Sequence, residues 1–267
     1  MIEIIDSENN HLITRCIDIA SCNYFENMIL LGDLYPPCNK ETKIFGVFDS
    51  NQQMENLFSI YEGFSRPSIV IPYKCKDKIL KEILLYLQNH IKNKFVVPSF
   101  DLKGDVLREF YDIVDTSREL CMYIKKEDFQ PETDIVMVQK YQDKDLEKIN
   151  YFHRFISAAP YTPSQLESGY YHYIEANSNI IACGGTHFET PKLAQIGNIY
   201  VLPNFRRKGY GIKVVSAITE EILRKKEYAT LFVLEDNFSA ISLYKKLGYK
   251  NFKSVNLYFC KVKVARN

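Results

Sequence analysis

The chain has 267 residues, 46% of them apolar and 25% charged, with a formal net charge of +1. That length suits two packed units, and the apolar share is ample for two cores. The balanced charge excludes a global nucleic-acid surface, and no basic amphipathic stretch or long apolar run marks a membrane partner.

At the N-terminus, Met1-Ile2-Glu3-Ile4-Ile5-Asp6 lacks the basic start and apolar region of a secretion signal, so the expected location is cytoplasmic. After a helix-like pattern, the apolar runs Ile44 to Phe48 and Leu57 to Tyr61 flank the polar Asp49-Ser50-Asn51-Gln52-Gln53, which predicts a hairpin. Ser68 to Ile71 reads as a third strand. Ile79, Ile83, Leu84, Leu87 and Ile91 then recur with helical spacing, and Phe95-Val96-Val97 before Pro98 reads as another strand. Around Lys76 to Ile83, where strand turns into helix, there is no Gly-x-Gly, Gly63 lies before the third strand, and Lys74, Lys76 and Lys78 read as a solvated face.

The polar, proline-containing Lys125 to Asp134 places a domain boundary near residue 130, giving domains 1–130 and 131–267. Beyond it, Asp143 to Glu147 opens a helix running to about Ile156, with an Asp as N-cap. Tyr170 to Glu175 and Ile180 to Phe188 form a hairpin around Asn177-Ser178-Asn179, and Leu193 to Leu202 is the next strand. A helix from Gly211 to about Lys226, a strand from Thr230 to Leu234, a helix from Ser239 to Leu247 and a strand from Ser254 to Val262 complete the order. This alternation predicts an α/β (α+β) fold class with a mixed central sheet flanked by helices. The seven cysteines are odd in number, scattered and without a Cys-x-x-Cys pair, so neither a metal nor a disulfide framework is expected. Cys183 lies in an apolar run and reads as a packed strand residue.

Chemistry concentrates in two segments. Arg206-Arg207-Lys208-Gly209-Tyr210-Gly211 follows the apolar Ile199-Tyr200-Val201-Leu202-Pro203 and precedes the helix that begins around Ile212. Two glycines one residue apart permit a tight turn and close ligand approach, and the helix start aims unpaired N–H groups and a positive dipole end at the same place. With three cations added, the turn suits a pyrophosphate. The second segment is Asn237-x-x-Ala240-Ile241-x-Leu243-Tyr244-x-x-Leu247-Gly248-Tyr249.

Arg-x-x-Gly-x-Gly followed by this second pattern resembles the GNAT superfamily of acyl-CoA-dependent N-acyltransferases, over about Ile135 to Phe259. The resemblance implies a GNAT fold for the C-terminal half, acetyl-CoA as cosubstrate, and an amine acceptor that is a small molecule, an amino acid or a peptide. A longer acyl donor, or a non-catalytic acyl-CoA sensor, are the alternatives. It implies that Ile199, Tyr200 and Val201 offer backbone groups to the pantetheine arm, with the Val201 N–H as oxyanion donor. Arg206 to Gly211, with Ile212, match the pyrophosphate loop. Asn237 and Ala240 match cofactor-contacting positions, and Asn237 reads equally as the N-cap of its helix. Tyr244 matches the usual general acid; with an ordinary phenol pKa near 10, it stays protonated near neutrality. The N-terminal half, in similar element order, reads as a decayed copy of the same fold or as a structural, substrate-shaping half. The assembly is expected to be a monomer or homodimer.

A general base is not in the family's usual place. The strand Leu193 to Leu202, where many relatives place a Glu, has Gln195 and Asn198 instead, and Phe232 stands where some relatives carry Glu, leaving Glu175, His187 or water as alternatives. Tyr151, His153, Tyr161, Tyr170, Tyr171 and His172 give an aromatic acceptor wall near Ala158-Ala159-Pro160, or pack against the first domain.

Overall fold

The computed structural model describes residues 1–102, 104–156 and 161–263. The chain divides into two compact units, one formed by Met1–Glu119 with the C-terminal strand from Ser254, the other by Leu120–Lys253.

In the first unit, β1 (Ile2–Ile5) is followed by α1 (Asn10–Ser21), α2 (Met28–Leu34), β2 (Thr42–Phe48), β3 (Met54–Tyr61) and β4 (Ser68–Val70). Then come α3 (Asp77–His90), β5 (Phe95–Ser99), α4 (Gly104–Phe110) and β6 (Tyr111–Ile124). The Asn9 side chain caps α1 by accepting from Leu12 N at 3.1 Å. Asp49 turns the β2–β3 hairpin by accepting from the N–H groups of Asn51 and Gln53, both at 2.8 Å. Strands β1 to β4 pair antiparallel in sequence order, and β4 pairs parallel with β5. Alternation sends Ile44, Leu57 and Val70 to the face covered by α1 and α2, and Phe45, Phe58 and Ile69 to the face covered by α3 and α4. The buried Ile79, Leu80, Ile83, Leu84 and Leu87 of α3 form the stripe that its spacing predicts.

In the second unit, β7 (Gln139–Lys140), α5 (Leu146–Ile156), β8 (His172–Ala176), β9 (Asn179–Glu189) and β10 (Leu193–Val201) are followed by α6 (Tyr210–Leu223), β11 (Tyr228–Leu234), α7 (Phe238–Lys246) and β12 (Lys250–Val262). Asn177 and Ser178, with φ of 50° and 61°, close the β8–β9 hairpin in the two-residue form whose twist suits paired strands. The strands β7 to β10 pair antiparallel, and β10 pairs parallel with β11. The α6 residues Val214, Val215, Ile218 and Ile222 pack one face with α7, while Ile149 and Phe152 of α5 pack against Tyr171, Tyr173 and Cys183.

The mixed sheet with covering helices is as predicted, with differences at its margins. A short 3-10 turn (Asp143–Asp145) precedes α5 and is capped by Gln142, whose N–H donates to Asp145 Oδ2 at 3.0 Å. Strand β5 continues through Pro98, which sits opposite Leu257. The segment from Lys125 to Asp134 is no free linker: Lys250 pairs with Asp128 at 2.6 Å, and Gln130 N donates to Leu247 O at 2.9 Å. The division between units falls inside β6 and β12 instead. Residues Asn256 to Cys260 of β12 pair with β5 in the first unit, and Met122 and Ile124 of β6 join the core of the second. The two halves of the sequence thus follow the same order of four antiparallel strands, the last pairing parallel with a fifth, and flanking helices, and each unit's sheet includes the other half's last strand.

Candidate functional site

The site begins with a fault in strand β10. Its parallel pairing with β11 runs from Leu193↔Tyr228 to Ile196↔Leu231 and stops there. On the other side, the register with β9 shifts between Gly197 and Tyr200, the mark of a bulge. Asn198 sits in the bulge at φ 57°, a left-handed conformation that Asn tolerates better than most residues. Its side chain is fixed at both ends: Nδ2 donates to Gln165 Oε1 at 2.8 Å, and Oδ1 faces His187 Nε2 at 3.2 Å. Past the bulge, Leu202 N donates to Ile181 O at 2.9 Å, on the β9 side. Backbone groups alternate along a strand, so the N–H and C=O of Val201 point the other way, where β11 no longer pairs. That leaves a strand edge with no neighbouring strand, where the Val201 carbonyl is met only by a side chain.

This edge forms one wall of a cleft of about 1020 Å³, through Ile199, Tyr200 and Val201. The turn from Phe205 to Ile212 forms the second wall, and Asn237, Ala240, Leu243 and Tyr244 of the α7 segment form the third. Of the residues expected to hold the cosubstrate, the structure gathers all here except Lys208, whose ammonium lies 5.4 Å over the Phe205 ring.

The turn is built to leave amides free. Arg206 N donates to Pro203 O at 3.2 Å and Lys213 N to Gly209 O at 3.3 Å. Between them, no backbone N–H from Arg207 to Ile212 bonds to another described residue. Gly209 caps α6 at φ 81°, and Arg207 also lies at positive φ, 62°. Successive N–H groups in such a turn form an anion-binding concavity at the positive end of α6. A Cβ on Gly211 would lie 3.3 Å from Leu243 Cδ1 and 3.5 Å from Val201 Cγ2, so glycine here lets α6 start close against both other walls. Arg206, Arg207 and Lys208 form no ion pair with any described carboxylate. The Arg206 side chain folds back instead: Nε donates to Val201 O at 3.0 Å, and the guanidinium lies 5.7 Å over the Tyr200 ring.

On α7, Asn237 Oδ1 accepts from Ala240 N at 3.1 Å, so the cleft-lining Asn is also the helix cap. Tyr244 is 6% exposed, packs at 5.9 Å from the Tyr249 ring, and burial pushes its phenol up to about 12. Among the described residues none hydrogen-bonds its hydroxyl. The closing Gly248-Tyr249 anchors the end of α7. Gly248 has φ 100° with its Cα against the Asp128 carbonyl, where a Cβ would collide, and the Tyr249 and Thr219 hydroxyls bond at 2.7 Å.

The base candidates lie elsewhere. Glu175 on β8 bonds to Lys148 Nζ at 2.5 Å, and His187 is held behind the bulge, its imidazolium disfavoured by burial. Neither lines the cleft, nor does any other carboxylate or imidazole among the described residues. Gln195 is buried, with Oε1 unpaired among the described residues, beside Thr230 on β11.

The aromatic residues do not form a single wall. His153, Tyr161 and Tyr171 cluster: the His153 and Tyr161 rings stack at 3.8 Å, and His153 Nε2 lies 2.5 Å from Tyr171 Oη. Burial, then the neighbouring His187, lowers the His153 imidazole to about 4. Tyr151 faces solvent at 68% exposure, Tyr170 belongs to the α6 core, and His172 lies by Glu221 at 3.4 Å. Ala158-Ala159-Pro160 lies outside the described residues. Sequence reasoning missed Gln165 as a partner of Asn198 and the cleft-lining Phe238. The Gly197-Asn198 pair inside a strand was the available signal for the bulge.

Residues 182–258 match the FR47-like protein family model. No curated protein matches the sequence. Among solved structures, a GCN5-related N-acetyltransferase from Sphaerobacter thermophilus is 12% identical with a TM-score of 0.63, covering 99% of this chain and 96% of its own. A GNAT-family acetyltransferase from Colwellia psychrerythraea is 14% identical with a TM-score of 0.59, covering 98% and 100%. A tandem GNAT protein from the clavulanic acid biosynthesis pathway is 10% identical with a TM-score of 0.64, covering 100% and 99%. The molecule therefore has the GNAT fold. Its C-terminal half carries an FR47-like, GNAT-related domain, and over its whole length the fold is similar to that of the tandem GNAT protein. Among the described residues no helix is long and apolar enough to cross a membrane.

Proposed function

We propose that the chain is an acetyl-CoA-dependent N-acetyltransferase acting on the amine of a small molecule, amino acid or peptide. One observation supports this reading: Arg207 and Gly209 to Ile212, from the turn with unbonded amides, line the same cleft as Val201 at the edge of β10 and Tyr244 of α7. A diphosphate satisfies the amides and the unpaired cations, and an amide-bearing pantetheine arm satisfies the strand edge.

The amine nitrogen attacks the thioester carbonyl, the C–N bond forms, and the carbonyl oxygen gathers negative charge. The Val201 N–H donates to that oxygen, a contribution of roughly 3 kcal/mol for a pre-aligned backbone donor. Collapse breaks the C–S bond, and the sulfur leaves as a thiolate hydrogen-bonded by Tyr244. The proton lost by the amine passes to water in the open cleft, since no described carboxylate or imidazole lines it, and the thiolate takes up one proton in exchange.

The first unit is a structural or substrate-shaping half. At its strand-to-helix turn, Lys74 N donates to Asp101 Oδ2 at 2.6 Å, so a carboxylate of the chain itself holds an amide there. The chain accordingly takes one acyl-CoA. Thiol release from acetyl-CoA across a panel of amines, amino acids and short peptides, beside calorimetry with CoA, tests the proposal. Acceptor-stimulated release supports it, and the absence of CoA binding overturns it.

A further inference from the structure

Arg206 occupies a position that the proposed chemistry does not explain. Its Nε donates to the carbonyl of Val201 at 3.0 Å, and its guanidinium covers the Tyr200 ring at 5.7 Å. Val201 belongs to the open edge of β10, and its carbonyl is the acceptor that an incoming amide N–H requires. The side chain is exposed, and no described carboxylate holds it. Its own backbone starts the turn whose following amides are free.

We propose that Arg206 is a specificity latch, an inference that rests on the acyl-CoA reading of the cleft. In the free protein it caps the strand edge against thioesters. A diphosphate bound at the amides from Arg207 to Ile212 attracts the guanidinium, which releases Val201 O to the pantetheine arm. A ligand with the same arm but no diphosphate must displace the latch without compensation. Arg206 thereby couples recognition of the anionic end of the ligand to opening of the edge where the acyl arm lies, and it favours coenzyme A thioesters over other thioesters. An arginine suits this role because one planar group serves as donor to a carbonyl, stacks on an aromatic face and pairs with phosphate oxygens.

The test is calorimetry of the full chain and of Arg206→Ala and Arg206→Met with S-acetyl-pantetheine and with acetyl-CoA. Removing one hydrogen bond and one cation–π contact from the free state is expected to tighten S-acetyl-pantetheine about tenfold. The same variants are expected to bind acetyl-CoA no better than the parent, so the preference for acetyl-CoA narrows by at least that factor. Arg206→Met keeps much of the side chain's bulk over Tyr200, so agreement between the two variants ties the effect to the guanidinium. If the parent binds acetyl-CoA and both variants bind S-acetyl-pantetheine no better than it does, the latch is overturned while the cleft assignment stands. If the parent binds no acetyl-CoA, the cleft assignment and the latch fall together.

Discussion

Replacing Tyr244 with Phe separates catalysis from binding and from folding. The ring lies in the second unit's core, 6% exposed and 5.9 Å from Tyr249, and Phe preserves that packing. Its hydroxyl bonds to no other described residue, so its loss leaves no buried partner unsatisfied and should change stability by under about 0.5 kcal/mol. The phenol is pushed up to about 12, so it stays protonated throughout the working range. A thiol's reference pKa is about 8.5, so complete proton transfer to the thiolate is uphill, and the proposed role of Tyr244 is chiefly that of a hydrogen-bond donor to the departing sulfur. A hydrogen bond to a charged group contributes about 1.5–3 kcal/mol, which converts to a fall in kcat of roughly 10- to 100-fold. Single-turnover thiol release with saturating acetyl-CoA reads the chemical step, and calorimetry reads the affinity, which should stay within about twofold. An unchanged single-turnover rate in Tyr244→Phe would refute the assignment. So would an equal loss in rate and affinity, because the hydroxyl would then serve binding.

Other perturbations probe separate parts of the molecule. Gly209→Ala places a Cβ at φ 81° and should cost about 1–2 kcal/mol of stability, read as a lower Tm, with weaker CoA binding. Glu175→Gln and His187→Gln should each leave the alkaline limb of the rate profile following the acceptor amine's own pKa; an inflection abolished by either change would name a protein base. Asp33 is buried, accepts from Ser59 Oγ at 2.5 Å, and is pushed up by burial to about 7. Its protonated form is favoured by the fold, so its contribution is complete below the unfolded pKa near 4 and is lost as pH rises through 7. Asp33→Asn should flatten that loss, gaining on the order of 2–4 kcal/mol in denaturation at pH 8 and little at pH 4. Calorimetry of the parent should give one CoA per chain, and two would show that Asp101 does not close the first unit's turn.

The sequence was most legible where one residue type has one physical use. Gly209, needed at positive φ, Asn237, a cap, and the helical stripe of α3 all declare themselves through local rules. Strand β6 did not, because Asp112, Asp115, Arg118 and Glu119 interrupt its apolar residues and leave no clean period of two. The unit boundary was hidden for a related reason: a polar, proline-containing segment has the composition of a linker, and only the pairing of Asp128 with Lys250, far along the chain, shows that it is anchored. The scattering of the aromatic residues was beyond reach, since His153 and Tyr151 share α5 yet face the core and the solvent.

The bulge of β10 ties these features to chemistry. An unpaired strand edge is a hazard that proteins normally cover or charge, and a run of unbonded amides is uncommon in a well-ordered turn. Here both occur within one cleft, beside cations that no described carboxylate neutralises. Considered separately, each would be a defect. They become consistent if one ligand carries amides to complete the edge and a diphosphate to complete the turn, with its reactive end in the cleft that Val201 and Tyr244 both line. The fixing of Asn198 between Gln165 and His187 is then explained as well: a bulge free to slip would return Val201 to register with the sheet and close the edge. The buried polar contacts behind β10 thus hold Val201 out of register with β11, leaving its carbonyl to the Arg206 side chain and its N–H to a ligand.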